Sequence, residues 1–122
     1  MSDRDGSWPT EIRLKKDRRS LAVRFDDGAA YDLPAEYLRV LSPSAEVQGH
    51  SPAQRQTVPG KIDVAISAVD PVGNYAVRLV FSDGHDTGLY SWTYLRRLGT
   101  EHDQLWAAYI ADLESKGLSR NP

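Results

Sequence analysis

Apolar residues recur at every second position in four stretches of this chain, and turn-forming residues separate those stretches. Ile12 and Leu14 make the first, Leu21, Val23 and Phe25 the second, Ile62, Val64 and Ile66 the third, and Tyr75, Val77, Leu79 and Phe81 the fourth. A period of two puts one set of side chains on one face of a strand, so each stretch reads as a half-buried β-strand. Asp17-Arg18, Asp26-Asp27-Gly28, Asp70-Pro71-Val72-Gly73-Asn74 and Ser82-Asp83-Gly84 supply the turns, since Asp, Asn and Gly tolerate the backbone that turns require. Ala30 to Leu33 and His85 to Leu89 add short extended pieces, for five or six strands in all. Strands joined by turns rather than by helices pair antiparallel, which indicates an α+β fold with a mainly antiparallel sheet.

Two or three helices complete that reading. Pro34 suits the start of a short helix through Tyr37, Leu38 and Val40, because its missing N–H would have no partner there. Ser91 is an N-cap for a helix through Trp92, Tyr94, Leu95 and Leu98, with Gly99 as its C-cap. From Thr100, Leu105, Trp106, Tyr109, Ile110 and Leu113 fall at helical spacing, an amphipathic terminal helix. Between the first helix and the third strand, residues 42–61 hold Ser, Pro, Gly, Gln and His with few apolar residues and read as one long loop. The organisation expected is a flexible lead over residues 1–9, a domain over 10–98, and a C-terminal helix and tail over 99–122. The only internal similarity noted is between two strand endings, Phe25-Asp26-Asp27-Gly28 and Phe81-Ser82-Asp83-Gly84.

Length and charge narrow the function. One modest core is what 122 residues can bury. A formal net charge of −2 gives no field that would draw the chain to nucleic acid or anionic lipid. No apolar run is long enough to span a bilayer, and a cytoplasmic protein is expected. The absence of cysteine removes disulfides, thiolate metal sites and thiol nucleophiles. Of the histidines, His50, His85 and His102, none lies in a nucleophile-elbow context, and the glycines are scattered singly rather than grouped into a phosphate loop. The expectation is a non-catalytic module. Tyr90 and Trp92, aromatic residues of the kind enriched at interfaces, are candidates for a protein-binding patch, and Arg39 with Arg55 could hold an acidic group of a partner.

Leu33-Pro-Ala-Glu-Tyr-Leu-Arg-Val-Leu-Ser-Pro-Ser-Ala-Glu-Val47 and Phe81-Ser-Asp-Gly-His-Asp-Thr-Gly-Leu-Tyr-Ser-Trp-Thr-Tyr-Leu95 together resemble the small N-terminal domain of gamma-butyrobetaine hydroxylase and trimethyllysine dioxygenase. In bacteria that domain also occurs alone, as a domain of unknown function. The resemblance runs from about Pro9 to Leu98. In the hydroxylases the matching segments hold a structural zinc through three cysteines and a histidine; the corresponding positions here are Ser42, Ser44, Val47 and His85. Hydroxyls and a valine do not replace thiolates, so a closed zinc site is not expected. The oxygenase activity belongs to a separate domain. Fusions of the small domain to ATPases of iron–sulfur cluster assembly imply an accessory role near iron chemistry, by association rather than mechanism.

Two functional expectations follow. The first is an accessory module that docks another protein through the 42–61 loop and the His85 segment, as a monomer or a homodimer. The alternative is a metal-binding domain in which His85, with Asp83, Glu46 or His50, holds iron, manganese or zinc through nitrogen and oxygen ligands.

Overall fold

The computed structural model describes residues 8–49 and 51–122. Residues 1–7 of the expected lead, and His50, lie outside the described residues. Strands β1 (Pro9–Leu14), β2 (Ser20–Phe25) and β3 (Ala30–Pro34) form one antiparallel meander, followed at once by helix α1 (Ala35–Val40). After helix α2 (Ala45–Gln48), strands β4 (Ile66–Val72), β5 (Ala76–Phe81) and β6 (Gly88–Ser91) form a second meander, followed at once by α3 (Trp92–Thr100) and then α4 (His102–Ser115). The α+β class and antiparallel pairing agree with the sequence reading, but among the described residues the strands divide into two three-stranded sheets and the α-helices number four. Among the described residues, no helix is long and apolar enough to cross a membrane.

The two meander-plus-helix units are copies of one plan. The turns after β2 and β5 match: Gly28 and Gly84 adopt φ of 94° and 93°, and the Asp before each glycine accepts the N–H of the residue after it, Asp27 from Ala29 and Asp83 from His85, both at 3.0 Å. The helices match as well, because Tyr37-Leu38-Arg39 and Tyr94-Leu95-Arg96 occupy the same turns of α1 and α3. Their side chains cross between the units. Tyr37 Oη donates to the Leu98 carbonyl at 2.6 Å, and Tyr94 Oη donates to the Leu41 carbonyl. Arg39 bonds Asp83, while Arg96 grips Asp27 through two bonds of 3.0 and 2.7 Å.

The core lies between the units. Leu21, Val23, Phe25 and Leu33 of the first sheet meet Ile66, Leu79, Phe81 and Tyr90 of the second, with Leu38 and Leu95 from the helices, all at most 1% exposed. The C-terminal segment packs on this body. Tyr109 and Leu113 join Val40 in a second apolar cluster, and Arg120 reaches Glu36 with two bonds of 2.8 and 2.7 Å.

Several boundaries differ from the alternation pattern. Ile62 and Val64 belong to a turn held by Val64 N–H to Lys61 O and Ile62 N–H to Arg120 O, both 3.1 Å, so β4 starts only at Ile66. It then runs through Pro71, which an edge strand tolerates because the missing N–H can face away from the ladder. Gly99 lies inside α3 rather than capping it: a Cβ there would sit 2.5 Å from the Tyr31 ring, so the glycine serves close packing. Ser91 caps α3 as expected, accepting from Tyr94 N–H at 3.1 Å. The 42–61 loop contains α2 and a single 3-10 turn at Pro52–Gln54.

Candidate functional site

His85 follows the β5–β6 turn and enters a polar cluster between that turn and the segment after α1. Its ring is 4% exposed. Ser42 Oγ lies 2.9 Å from His85 Nε2, and Glu46 Oε1 lies 3.2 Å from His85 Nδ1. A neutral imidazole satisfies both contacts, with Nδ1–H donating to Glu46 and Nε2 accepting from the Ser42 hydroxyl. Burial, then the Arg39 charge, lowers the His85 pKa below its ordinary 6.5, and Glu46 and Asp83 offset this only in part. The unfolded chain is then the better proton binder, so this contribution to stability is whole above pH 6.5 and is lost as pH falls through and below that value. Denaturant unfolding from pH 8 to pH 5 should show this loss, and a His85→Gln variant should lack that part of the slope. An unchanged slope in the variant would assign the pH dependence elsewhere.

Asp83 faces a different set of groups. Its Oδ2 lies 2.8 Å from Arg39 Nε and 2.7 Å from Lys61 Nζ. Burial would raise its pKa, but Lys61, the His85 N–H and Arg39 outweigh it and hold the carboxyl at about 2. The expected ligand set of His85, Asp83 and Glu46 therefore does not converge on one point. Both ring nitrogens of His85 have partners, Asp83 is occupied by two cations, and among the described residues no three His, Asp or Glu side chains form a metal-binding group. Zinc fits no better at the positions implied by the hydroxylases: Ser42 bonds His85, Ser44 and Val47 are buried, and the donors present are one imidazole and two hydroxyls.

Ser42, His85 and Glu46 do stand in the nucleophile, base and acid order of a hydrolytic triad. Ser42 is 0% exposed, however, and it is the Glu46 end that meets water, at 65%. As folded, the hydroxyl is closed to any substrate. The cluster's structural effect is to pin the segment entering α2 against the second sheet.

The expected partner-binding residues separate in the same way. Tyr90 is 0% exposed and its hydroxyl donates to the Leu38 carbonyl, so it is a core residue and not part of a surface patch. Arg39 is committed to Asp83 with a side chain only 12% exposed. Arg55 lies on the open loop, 52% exposed, 4.0 Å from Asp112. Arg55 borders a small cleft beside Tyr109 and Asp112, whereas Trp92 lines a larger one. That cleft, about 400 Å³, lies between β1 and β4 and is walled by Pro9, Ile12, Val69, Pro71, Val77 and Trp92. The Trp92 indole donates to the Asn74 carbonyl at 2.8 Å, which fixes the ring as a wall. Trp8 adjoins Pro9 and is 46% exposed. Sequence reasoning missed this cleft because its residues come from four separate elements and none is unusual alone.

Two antiparallel meanders, each closed by a helix and clasped to one another, define a small α+β domain. The family model described as gamma-butyrobetaine hydroxylase-like, N-terminal, matches residues 12–96, and the chain belongs to that family. A solution NMR structure of a protein 51% identical covers 93% of this chain and 90% of its own, with a TM-score of 0.81. A second NMR structure, 47% identical, covers 100% and 91%, with a TM-score of 0.82. A crystal structure from Acidithiobacillus ferrooxidans, of a protein with unknown function in the DUF971 family, is 44% identical over 75% of this chain and 92% of its own, with a TM-score of 0.63. No curated protein is significantly similar to the chain.

Proposed function

We propose that this domain is a non-catalytic accessory module of the cytoplasm that docks a protein partner through the cleft between β1 and β4. The observation that carries this reading is the cleft itself: an open apolar wall of about 400 Å³ in which a fixed Trp92 meets Pro9, Ile12 and Val69. Tryptophan in such a position is the residue type that dominates protein interfaces. The face first expected to dock, the 42–61 loop with His85, is less suited, because its polar groups are spent on one another. Iron-dependent oxygenase or iron–sulfur assembly systems are the setting the family relationship suggests for the partner.

A photo-crosslinking residue at Thr10, on the cleft rim, tests this in cells against the same residue at Glu114, which is exposed on α4. A discrete adduct is expected from Thr10 only, and Trp92→Ala should abolish it while leaving the fold intact by NMR. Adducts of equal yield from both positions, or a Thr10 adduct indifferent to Trp92→Ala, would count against the cleft.

A further inference from the structure

Among the described residues, strand β1 is the outer strand of its sheet, and its open edge borders the cleft. The pairing of β1 with β2 runs through Leu14↔Leu21, Arg13↔Ala22 and Ile12↔Val23, and just beyond it Lys15 N–H donates to the Ser20 carbonyl at 3.0 Å. Hydrogen-bonded and non-hydrogen-bonded pairs alternate along an antiparallel ladder. Ile12 and Leu14 therefore turn their N–H and C=O groups away from β2, toward the open edge. Unpaired edge groups beside an apolar cleft are a template for one more strand.

The two faces of β1 say what that strand carries. Ile12 and Leu14 point inward, packed against the core, and Ile12 forms part of the cleft. Arg13 and Lys15 line the opposite, outer face together with Arg24 and Glu11. That outer face sets three cations against two carboxylates, with Lys15 3.5 Å from Asp32. Arg13 and Arg24 share the single carboxylate of Glu11, at 3.0 and 3.7 Å, and their side chains are 59% and 60% exposed. Residues 9–25 hold six Lys or Arg against two Asp or Glu, a local excess of positive charge in a chain of net −2. The other outer strand flanking the cleft, β4, is blunted by Pro71, which leaves β1 as the better template.

We propose that the partner docks as an extended, acidic polypeptide segment that adds to the free edge of β1, with alternate apolar side chains in the cleft and the intervening carboxylates beside Arg13 and Arg24. This rests on the docking reading above and specifies its occupant. Backbone bonds to Ile12 and Leu14 supply the pairing, the cleft selects apolar residues at every second position, and the arginines select acid between them.

The test is a titration of the full chain, observed by NMR and amide exchange, with an acetylated and amidated octapeptide that alternates valine and glutamate. Expected results are saturable shifts confined to β1 and the cleft, slowed exchange at the Ile12 and Leu14 amides, and about tenfold weaker binding when the peptide's β1-facing amides are N-methylated, the worth of one or two backbone bonds. Arg13→Glu with Arg24→Glu should weaken binding several-fold while leaving the spectrum of the core unchanged. No saturation at millimolar peptide, equal binding by the N-methylated peptide, or equal binding by a peptide with its valines and glutamates in two blocks would overturn strand addition. Displacement by single-stranded RNA of equal charge, with the same arginine dependence and no protection of Ile12 and Leu14, would overturn it in favour of phosphate recognition. A cellular adduct at Thr10 without the peptide effects would leave the docking reading standing and remove only the strand.

Discussion

Replacing Tyr90 with alanine is expected to destabilise the domain by about 3–5 kcal/mol, the range for removing a fully buried aromatic side chain. The ring is 0% exposed, its hydroxyl donates to the Leu38 carbonyl across the interface between the units, and the Tyr94 ring lies 6.1 Å away, tilted by 43°. Tyr90→Phe keeps the volume but strands the carbonyl, and should cost about 1–2 kcal/mol. Equilibrium denaturation of the three proteins measures both steps. An alanine variant within about 1 kcal/mol of the parent, in the range of ordinary surface substitutions, would mean that Tyr90 is not the core element described.

The second large effect concerns Asp83, and the repeated architecture supplies its control. Asp83→Ala leaves Arg39 partly buried beside Lys61 with no carboxylate between them. Stranding a charge in that way should cost about 2–3 kcal/mol, below the full figure for a buried pair because a fifth of the Asp83 side chain still meets water. Asp27 occupies the matching turn and grips Arg96, which holds its carboxyl at about 2, yet it stands in solvent. Asp27→Ala should therefore cost much less than Asp83→Ala. Equal losses in a denaturant titration at neutral pH would show that burial does not separate the two turns.

Much of this molecule was legible as sequence. The alternating runs around Leu21, Val23, Phe25, Val77, Leu79 and Phe81 mark strands that each bury one face, and Ser91 marks the start of α3, because those features are local. What was not legible depended on contacts distant in the chain. Gly99 has the composition of a helix end, but its absent side chain makes room for Tyr31. Ile62 and Val64 alternate like a strand, yet their backbone is taken by the tail at Arg120 and by a turn at Lys61. Tyr90 looked like a surface aromatic because nothing near it in sequence shows that the Leu38 carbonyl will cover its hydroxyl. At the site, the proximity of Ser42, Glu46 and His85 followed the family resemblance, whereas the diversion of Asp83 to Arg39 and Lys61 did not. The repeat itself left a readable trace: the Tyr-Leu-Arg triplet at 37–39 and again at 94–96 extends the similarity of the two glycine turns into the helices.

The crossed tyrosines also set a timetable for synthesis. Tyr37 must wait for Leu98, 61 residues later, and Leu41 must wait for Tyr94, 53 residues later. At ribosomal rates of about 5–20 residues per second, the first unit stays without its clasp for roughly 3–12 s. During that interval the apolar faces of Leu21, Val23 and Phe25 have no second sheet to cover them. The nascent half-domain is thus the species whose apolar surface is most exposed to aggregation.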